Sequence, residues 1–297
     1  MGTRKRLREL VAAKEILVLP GAYDALSAKL VQAAGFQGVY MTGYGQAASK
    51  LGQPDVGLMT MTEMAERAGD MVMAVNIPVV CDADTGFGNN VNVVRTIREY
   101  ERLGAAAIQL EDQVMPKKCG HMLGREVIDA QEMVNKLKAA AAARTDPDFL
   151  IIARTDARTN HGIEEAVRRG KLYAEAGADI IFVESVESVE EMRLVNKEIS
   201  AYTIANMVET GRTPVLTVDE LQDIGYNMVV YPISSLYVAA KAVYDMLLDF
   251  KANGTTKNYL DKMVSFSQFN DFIGLPLVRE LEASRFEAIG KNSSKVF

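Results

Sequence analysis

The sequence predicts an α/β fold, a (β/α)8 TIM barrel followed by extra C-terminal helices. Three observations carry that prediction. Eight short apolar, β-branched runs recur along the 297 residues, with helical stretches between them. The runs are apolar throughout rather than alternating, which suits a parallel sheet covered on both faces. Polar or charged residues follow seven of the eight runs at the same end, the end at which such a barrel carries its active site.

The eight runs fall at residues 16–19, 38–42, 78–82, 106–110, 150–153, 180–183, 202–205 and 228–231. Between them, segments such as 25–34 and 163–176 space their apolar residues as helices do, and Asp24 suits the N-cap of the first. Gly35, Gly104, Gly177 and Gly225 follow helical stretches where a left-handed C′ residue is expected. A doubly wound open sheet is the alternative, but no G-x-G-x-x-G follows the first strand. No linker or composition break precedes about residue 250, so 1–250 is read as one catalytic barrel and 251–297 as a helical extension of the same domain. In that extension Phe272, Ile273, Leu275, Leu277 and Leu281 form an apolar stripe that packs under its own barrel or on a neighbour; exposure favours the neighbour.

Composition excludes several function classes. The chain is 48% hydrophobic and 24% charged, with a net charge of -6 and no basic stripe interleaved with aromatics, which argues against nucleic-acid binding. Two cysteines give no disulfide framework and suit a reducing compartment. No apolar run approaches the roughly 20 residues of a membrane helix. The basic N-terminus is followed by no apolar secretory stretch, and Glu9 argues against a mitochondrial address, so the expected location is the cytoplasm.

The second strand runs into Tyr40, Thr42, Gly43 and Tyr44, and the third into Asp82 and Asp84. Glu111 ends the fourth, Arg154 follows the fifth, Glu184 the sixth, Asn206 the seventh and Ser234 the eighth. Carboxylates crowded at one rim repel one another and are driven to take up protons unless a cation lies between them. Asp82 and Asp84 share a face if the strand is regular, Glu111 lies on the next strand, and Asp55 lies in the loop after the second. An all-oxygen set favours Mg²⁺ or Mn²⁺ over Zn²⁺. The bland alternative is an Asp pair that caps the Asp-Thr-Gly turn. Arg154 offers a planar fork to a substrate carboxylate, or else pairs with Asp156 or Glu184.

Residues 117–121, KKCGH, set Cys119 among two lysines, Gly120 and His121. Neighbouring positive charge is expected to favour the thiolate and to suit Cys119 to proton transfer or nucleophilic attack. Cys81, inside a strand, reads as a packed small hydrophobe, and His161 as a solvated turn residue.

Together with PGAYDA at 20–25, the motifs LGQPDVG, DADTGFG, QLEDQ, PKKCGH, ARTDA and ANMVE resemble the isocitrate lyase/phosphoenolpyruvate mutase superfamily over residues 10–285. The resemblance implies a metal-dependent (β/α)8 barrel acting on small 2-oxo or 2-hydroxy acids, assembled as a homotetramer with a C-terminal helix swapped between subunits. Position by position, it implies Asp82, Asp84 and Glu111 as metal-site acids with Asp55 nearby. Tyr40, Thr42, Gly43 and Tyr44 become substrate contacts, with Tyr40 also the expected base for the C2 hydroxyl. Arg154, Glu184 and Asn206 surround the bound acid, and Cys119, with Gly120 and His121 beside it, is the acid carried on a gating loop. The phosphonate mutase branch lacks that loop, which favours a carbon–carbon lyase. Val208 stands where cleavers of isocitrates carry Ser or Thr, and an apolar side chain there disfavours a third carboxylate. The expected substrate is a dicarboxylic 2-hydroxy acid of the 2,3-dimethylmalate type, giving pyruvate and propanoate; the alternatives are cleavage of 2-methylisocitrate to pyruvate and succinate, or hydrolysis of oxaloacetate.

Overall fold

The computed structural model describes residues 2–284. Its eight strands are β1 (Leu17–Ala22), β2 (Val39–Met41), β3 (Val79–Asp82), β4 (Ala107–Glu111), β5 (Leu150–Thr155), β6 (Ile180–Val183), β7 (Tyr202–Asn206) and β8 (Met228–Tyr231). They close in chain order into a barrel, with β1 paired to β8, and every pairing is parallel. The expected strands are found to within a few residues. The largest extension is β1, which runs three residues past Leu19 to Ala22, and β5 runs on two residues to Glu111↔Arg154 and Thr155↔Val183.

Local signals do much of this placement. Asp24 caps the helix Ala25–Ala33 by accepting from the Ser27 N–H at 2.7 Å, and Thr60, Asn89 and Thr217 build capping boxes at later helices. Gly35, Gly104, Gly177 and Gly225 all have φ between 90° and 112°, the left-handed stop foreseen for them. His161 lies within Arg158–Glu175, one residue before a break at Gly162 (φ 84°), so the regular helix starts where the sequence placed it.

Two apolar clusters result. One lies between strands and outer helices; the other fills the barrel with Leu17, Leu19, Val80, Leu150, Ile152, Ile180, Phe182, Ile204, Met228 and Val230. Leu7 and Val11 of the helix Thr3–Val11 belong to that inner cluster. Arg4 pairs with Asp146 at 2.9 Å, and Arg8 reaches Asp148 and Asp179, all in segments that precede strands. The basic N-terminus is therefore a plug for the lower end of the barrel.

The chain divides into two compact units, Met1–Leu236 and Tyr237–Phe297. This boundary precedes residue 250 because the helix after β8, Ser234–Asn253, belongs mostly to the second unit. There the expected apolar stripe lies on the helices Phe266–Ile273 and Leu275–Ala283, with Gly274 (φ 98°) between them. No helix among the described residues is long and apolar enough to cross a membrane.

Candidate active site

Alternate residues on a strand face the same way. On β5 the inward series runs Leu150, Ile152, Arg154; after β6 it runs Ile180, Phe182, Glu184; on β7, Ile204 and Asn206; on β3, Val80 and Asp82. Each series is apolar in the barrel and polar only at its last position. Five strands so deliver Asp82, Glu111, Arg154, Glu184 and Asn206 to one mouth. All but half-buried Asn206 are buried there.

Asn206 Nδ2 donates to Glu184 Oε2 at 3.1 Å, and Arg154 Nη2 lies 3.3 Å from the same oxygen. Arg154 Nη1 lies 3.3 Å from Glu111 Oε2, while Nε and Nη2 each donate to Asp156 at 2.9 Å. The fork proposed for a substrate carboxylate is thus turned onto Asp156, and Nη1 is the arm directed to the mouth. Thr42 is buried with its hydroxyl accepting from the Gly45 N–H at 3.3 Å, and a Cβ on Gly43 would meet Asp82 Oδ2 at 2.5 Å. Tyr44 is half-buried in the same turn.

Tyr40 corrects an expectation. Its hydroxyl donates to Gln109 Oε1 at 2.8 Å, and Gln109 Nε2 reaches Asp82 Oδ1 at 3.4 Å. Burial first, then Asp82, pushes the phenol well above its ordinary pKa. A phenol that holds its proton this firmly does not fit the role of base. Gln109, two residues before Glu111 on the same face, is the member of this contact that the sequence reading passed over, although the period-2 rule points to it.

The pair Asp82 and Asp84 also meets differently from expectation. β3 ends at Asp82, and Asp84 has φ 48°, its N–H bound to Asp82 Oδ1 at 3.0 Å. A left-handed turn, not strand alternation, brings Asp84 to the rim. There Lys117 Nζ lies 2.6 Å from Asp84 and 2.7 Å from Asp55, all three side chains being buried. Burial opposes the charge on Lys117, but Asp84 and Asp55 outweigh it and hold its pKa well above the ordinary lysine value. The first lysine of KKCGH is an internal counter-ion, a role that the local sequence does not reveal.

That pairing corrects the thiolate expectation for Cys119. Lys117 spends its charge on Asp84 and Asp55, and Lys118 Nζ donates to the Gly124 carbonyl at 2.7 Å. Burial then dominates and lifts the thiol to about 11, against a smaller lowering by the His121 N–H. That shift keeps Cys119 in its protonated thiol form at neutral pH.

The loop that carries it is closed over the mouth. The Cys119 N–H donates to the Asp55 carbonyl at 3.1 Å, and Ser185 Oγ donates to the Gly120 carbonyl at 2.8 Å. A Cβ on Gly120 would lie 2.4 Å from Arg154 Nη2 and 2.7 Å from Glu184. His121 Nδ1 accepts from the Arg212 N–H at 3.2 Å, so the ring's proton sits on Nε2, 3.5 Å from Glu184 Oε1. Burial lowers the His121 pKa, against the pull of Glu184, and the ring is neutral.

Six buried carboxylates (Asp55, Asp82, Asp84, Glu111, Asp156 and Glu184) share this region with three buried cations (Lys117, Arg125 and Arg154). Burial, opposed by Lys117, lifts Asp84 to about 6, and burial, opposed by Arg154, lifts Glu111 well above the usual carboxylate range. Glu111 Oε1 is buried without a hydrogen-bond partner. Among the described residues no three Asp, Glu, His or Cys side chains converge on one point as direct ligands. The surplus of hard oxygen donors fits a divalent cation held by one or two carboxylates and by water, as Mg²⁺ is commonly held.

Comparison with known proteins agrees with this geometry. The family described as phosphoenolpyruvate phosphomutase matches residues 7–250. The chain belongs to this family, and it is a carbon–carbon lyase of the phosphoenolpyruvate mutase/isocitrate lyase superfamily. It is 59% identical to a 2,3-dimethylmalate lyase of Eubacterium barkeri, over 95% of this chain and 98% of that one. A 2-methylisocitrate lyase of Aeropyrum pernix is 47% identical over 90% of this chain and 86% of its own. Among solved structures, oxaloacetate acetylhydrolase in complex with 3,3-difluorooxalacetate superposes with a TM-score of 0.91 at 32% identity, covering 95% of this chain and 96% of that one.

Proposed function

We propose that this lyase cleaves the C2–C3 bond of a substituted malate of the 2,3-dimethylmalate type, giving pyruvate and propanoate. The observation that carries the reading is the half-buried, protonated thiol of Cys119, on a loop whose next residue, Gly120, lies against Arg154 and Glu184. The 59% identity to a 2,3-dimethylmalate lyase supports the choice of substrate.

Asp82, Asp84, Glu111 and Asp55 would hold Mg²⁺ or Mn²⁺, directly or through water. Bound there, the ion would stabilise negative charge on the substrate's 2-oxy and carboxylate oxygens. Arg154 Nη1 binds the oxygen side of the same half of the substrate, its guanidinium fixed by Asp156. As C2–C3 breaks, the C2 hydroxyl passes its proton to a carboxylate of the mouth and becomes the pyruvate carbonyl. The bonding pair passes to C3 as an aci-carboxylate. Cys119 Sγ–H donates its proton to that carbon, completing propanoate. The closed loop keeps water from reaching the carbon first, and His121, neutral against Glu184, holds the loop tip down. Gly43 lets the chain after β2 approach Asp82 closely, and the Thr42 hydroxyl shapes that turn.

The test is a panel of substituted malates and isocitrates, assayed for 2-oxo acid release with and without EDTA. Fastest turnover of 2,3-dimethylmalate, abolished by EDTA, is expected; 2-methylisocitrate turned over at least as fast would overturn the substrate assignment. Oxalate formed from oxaloacetate would instead support the hydrolase reading, the activity named for the structure that superposes at 0.91.

The unit from Tyr237 onward exposes Val238, Leu260, Val264 and Phe266, from 64% to 88%. This much apolar surface supports a homotetramer with swapped C-terminal helices. A solution mass of one 32.5 kDa chain would contradict it. Both cysteines are free, which supports a reducing, cytoplasmic setting.

A further inference from the structure

The returning limb of the Cys119 loop carries a buried arginine that the lyase chemistry does not call upon. Arg125 is 3% exposed. Its Nη1 donates to Asp156 Oδ1 at 2.6 Å, its Nε to the Met122 carbonyl at 3.1 Å, and its Nη2 to Thr159 Oγ1. Asn160 Nδ2 donates in turn to the Arg125 carbonyl. Two of these contacts matter together. Asp156 is the residue that grips Arg154, through Oδ2 to Nε and through Oδ1 to Nη2. Asp156 Oδ1 is therefore shared between the arginine facing the mouth and the arginine on the loop. On the other side, the Met122 N–H donates to the Cys119 carbonyl at 2.9 Å, so the turn that Arg125 grips is the turn that presents the thiol.

We propose that Arg125 is a positioning residue that registers the thiol-bearing loop against Arg154 through their common partner Asp156. The loop needs such a device because little apolar burial holds it. Val114, Met115 and Leu123 are 39%, 44% and 75% exposed. At its base the stem is a short antiparallel contact, Gln113↔Val127, with the Val114 N–H on the Glu126 carbonyl and the Ile128 N–H on the Asp112 carbonyl. A segment held by polar contacts opens at low cost, and the closed state is then set by whichever contacts are best desolvated and best aligned. A guanidinium meets three acceptors in fixed directions at once; an ammonium at the same place cannot. With Arg125 seated, closing the loop and fixing Arg154 on Asp156 become one event. Proton donor and substrate-facing cation then take up their places together.

The inference rests on residues 113–127 acting as a gate, not on which malate is cleaved, and its test separates the two. In the substrate-free enzyme, the rate at which iodoacetamide modifies Cys119 is followed by mass spectrometry, with Cys81, fully buried, as the internal control. Arg125→Met is expected to raise Cys119 modification about tenfold or more with Cys81 still protected, and Arg125→Lys to fall between it and the parent. On 2,3-dimethylmalate, kcat should drop about tenfold or more while KM changes less, and added guanidinium should restore both readouts in Arg125→Met. Cys119 modification within twofold of the parent in both variants would overturn the proposal whatever the substrate. So would Cys81 becoming reactive in Arg125→Lys, since Arg125 would then serve folding rather than positioning.

Discussion

The strand-end residues and the Cys119 loop meet at one mouth but are built by different means. Asp82, Glu111, Arg154 and Asn206 end strands whose ladders and inner apolar layers fix them from below. Lys117, Cys119, Gly120 and His121 are fixed by hydrogen bonds and ion pairs: Lys117 on Asp55 and Asp84, Cys119 on the Asp55 carbonyl, Gly120 under Ser185, His121 on Arg212. Rigid strands can hold a bound acid in place, but they cannot also withdraw to let it enter. The proposed proton donor, Cys119, accordingly lies on the loop rather than on a strand. The cost of opening is kept small because little apolar surface is buried there.

The largest effect that would separate the two regions is expected from Cys119→Ser. Cleavage should fall by about 10³-fold, while the melting temperature and Mn²⁺ affinity stay near the parent's, since the strand ends are untouched. A variant that keeps most of its activity would remove the acid role. Gly120→Ala comes next. Its methyl group would collide with Arg154 and Glu184, so the loop cannot close fully, and kcat/KM should drop by about 10²-fold with stability unchanged. Activity near the parent's would mean that closure is looser than the contacts indicate. The smallest effect concerns pH. With its pKa lifted to about 11, closed Cys119 carries little thiolate between pH 7 and 9, and its alkylation rate should climb throughout that range. Extended to pH 10, a rate with its midpoint near pH 8.5 that levels off above about pH 9.5 would instead report an ordinary, open thiol.

Much of the strand-end set was legible without coordinates because barrel chemistry follows a positional rule. The eight runs gave the strand ends, and polar residues at those ends gave Asp82, Glu111, Arg154, Glu184 and Asn206. The loop was legible as a motif but not as chemistry. Its lysines read as charges beside a thiol, whereas Lys117 is neutralised by two aspartates from other loops and leaves burial to govern Cys119. Tyr40 shows the same gap: a phenol at a strand end looks available until Gln109 and a closed interior are found around it.

The sequence by itself determined the barrel, its helix caps and glycine stops, and which residue types reach the active end, because periodicity and local propensity act over a few residues. Only the tertiary structure decided the protonation and partners of those residues. Asp84 enters by a left-handed turn, Arg154 is turned onto Asp156, and Arg125 and Lys117 tie the loop to acids far away in the chain. Charge in a buried site depends on desolvation and on neighbours brought together through space, and neither is written in any local stretch of sequence.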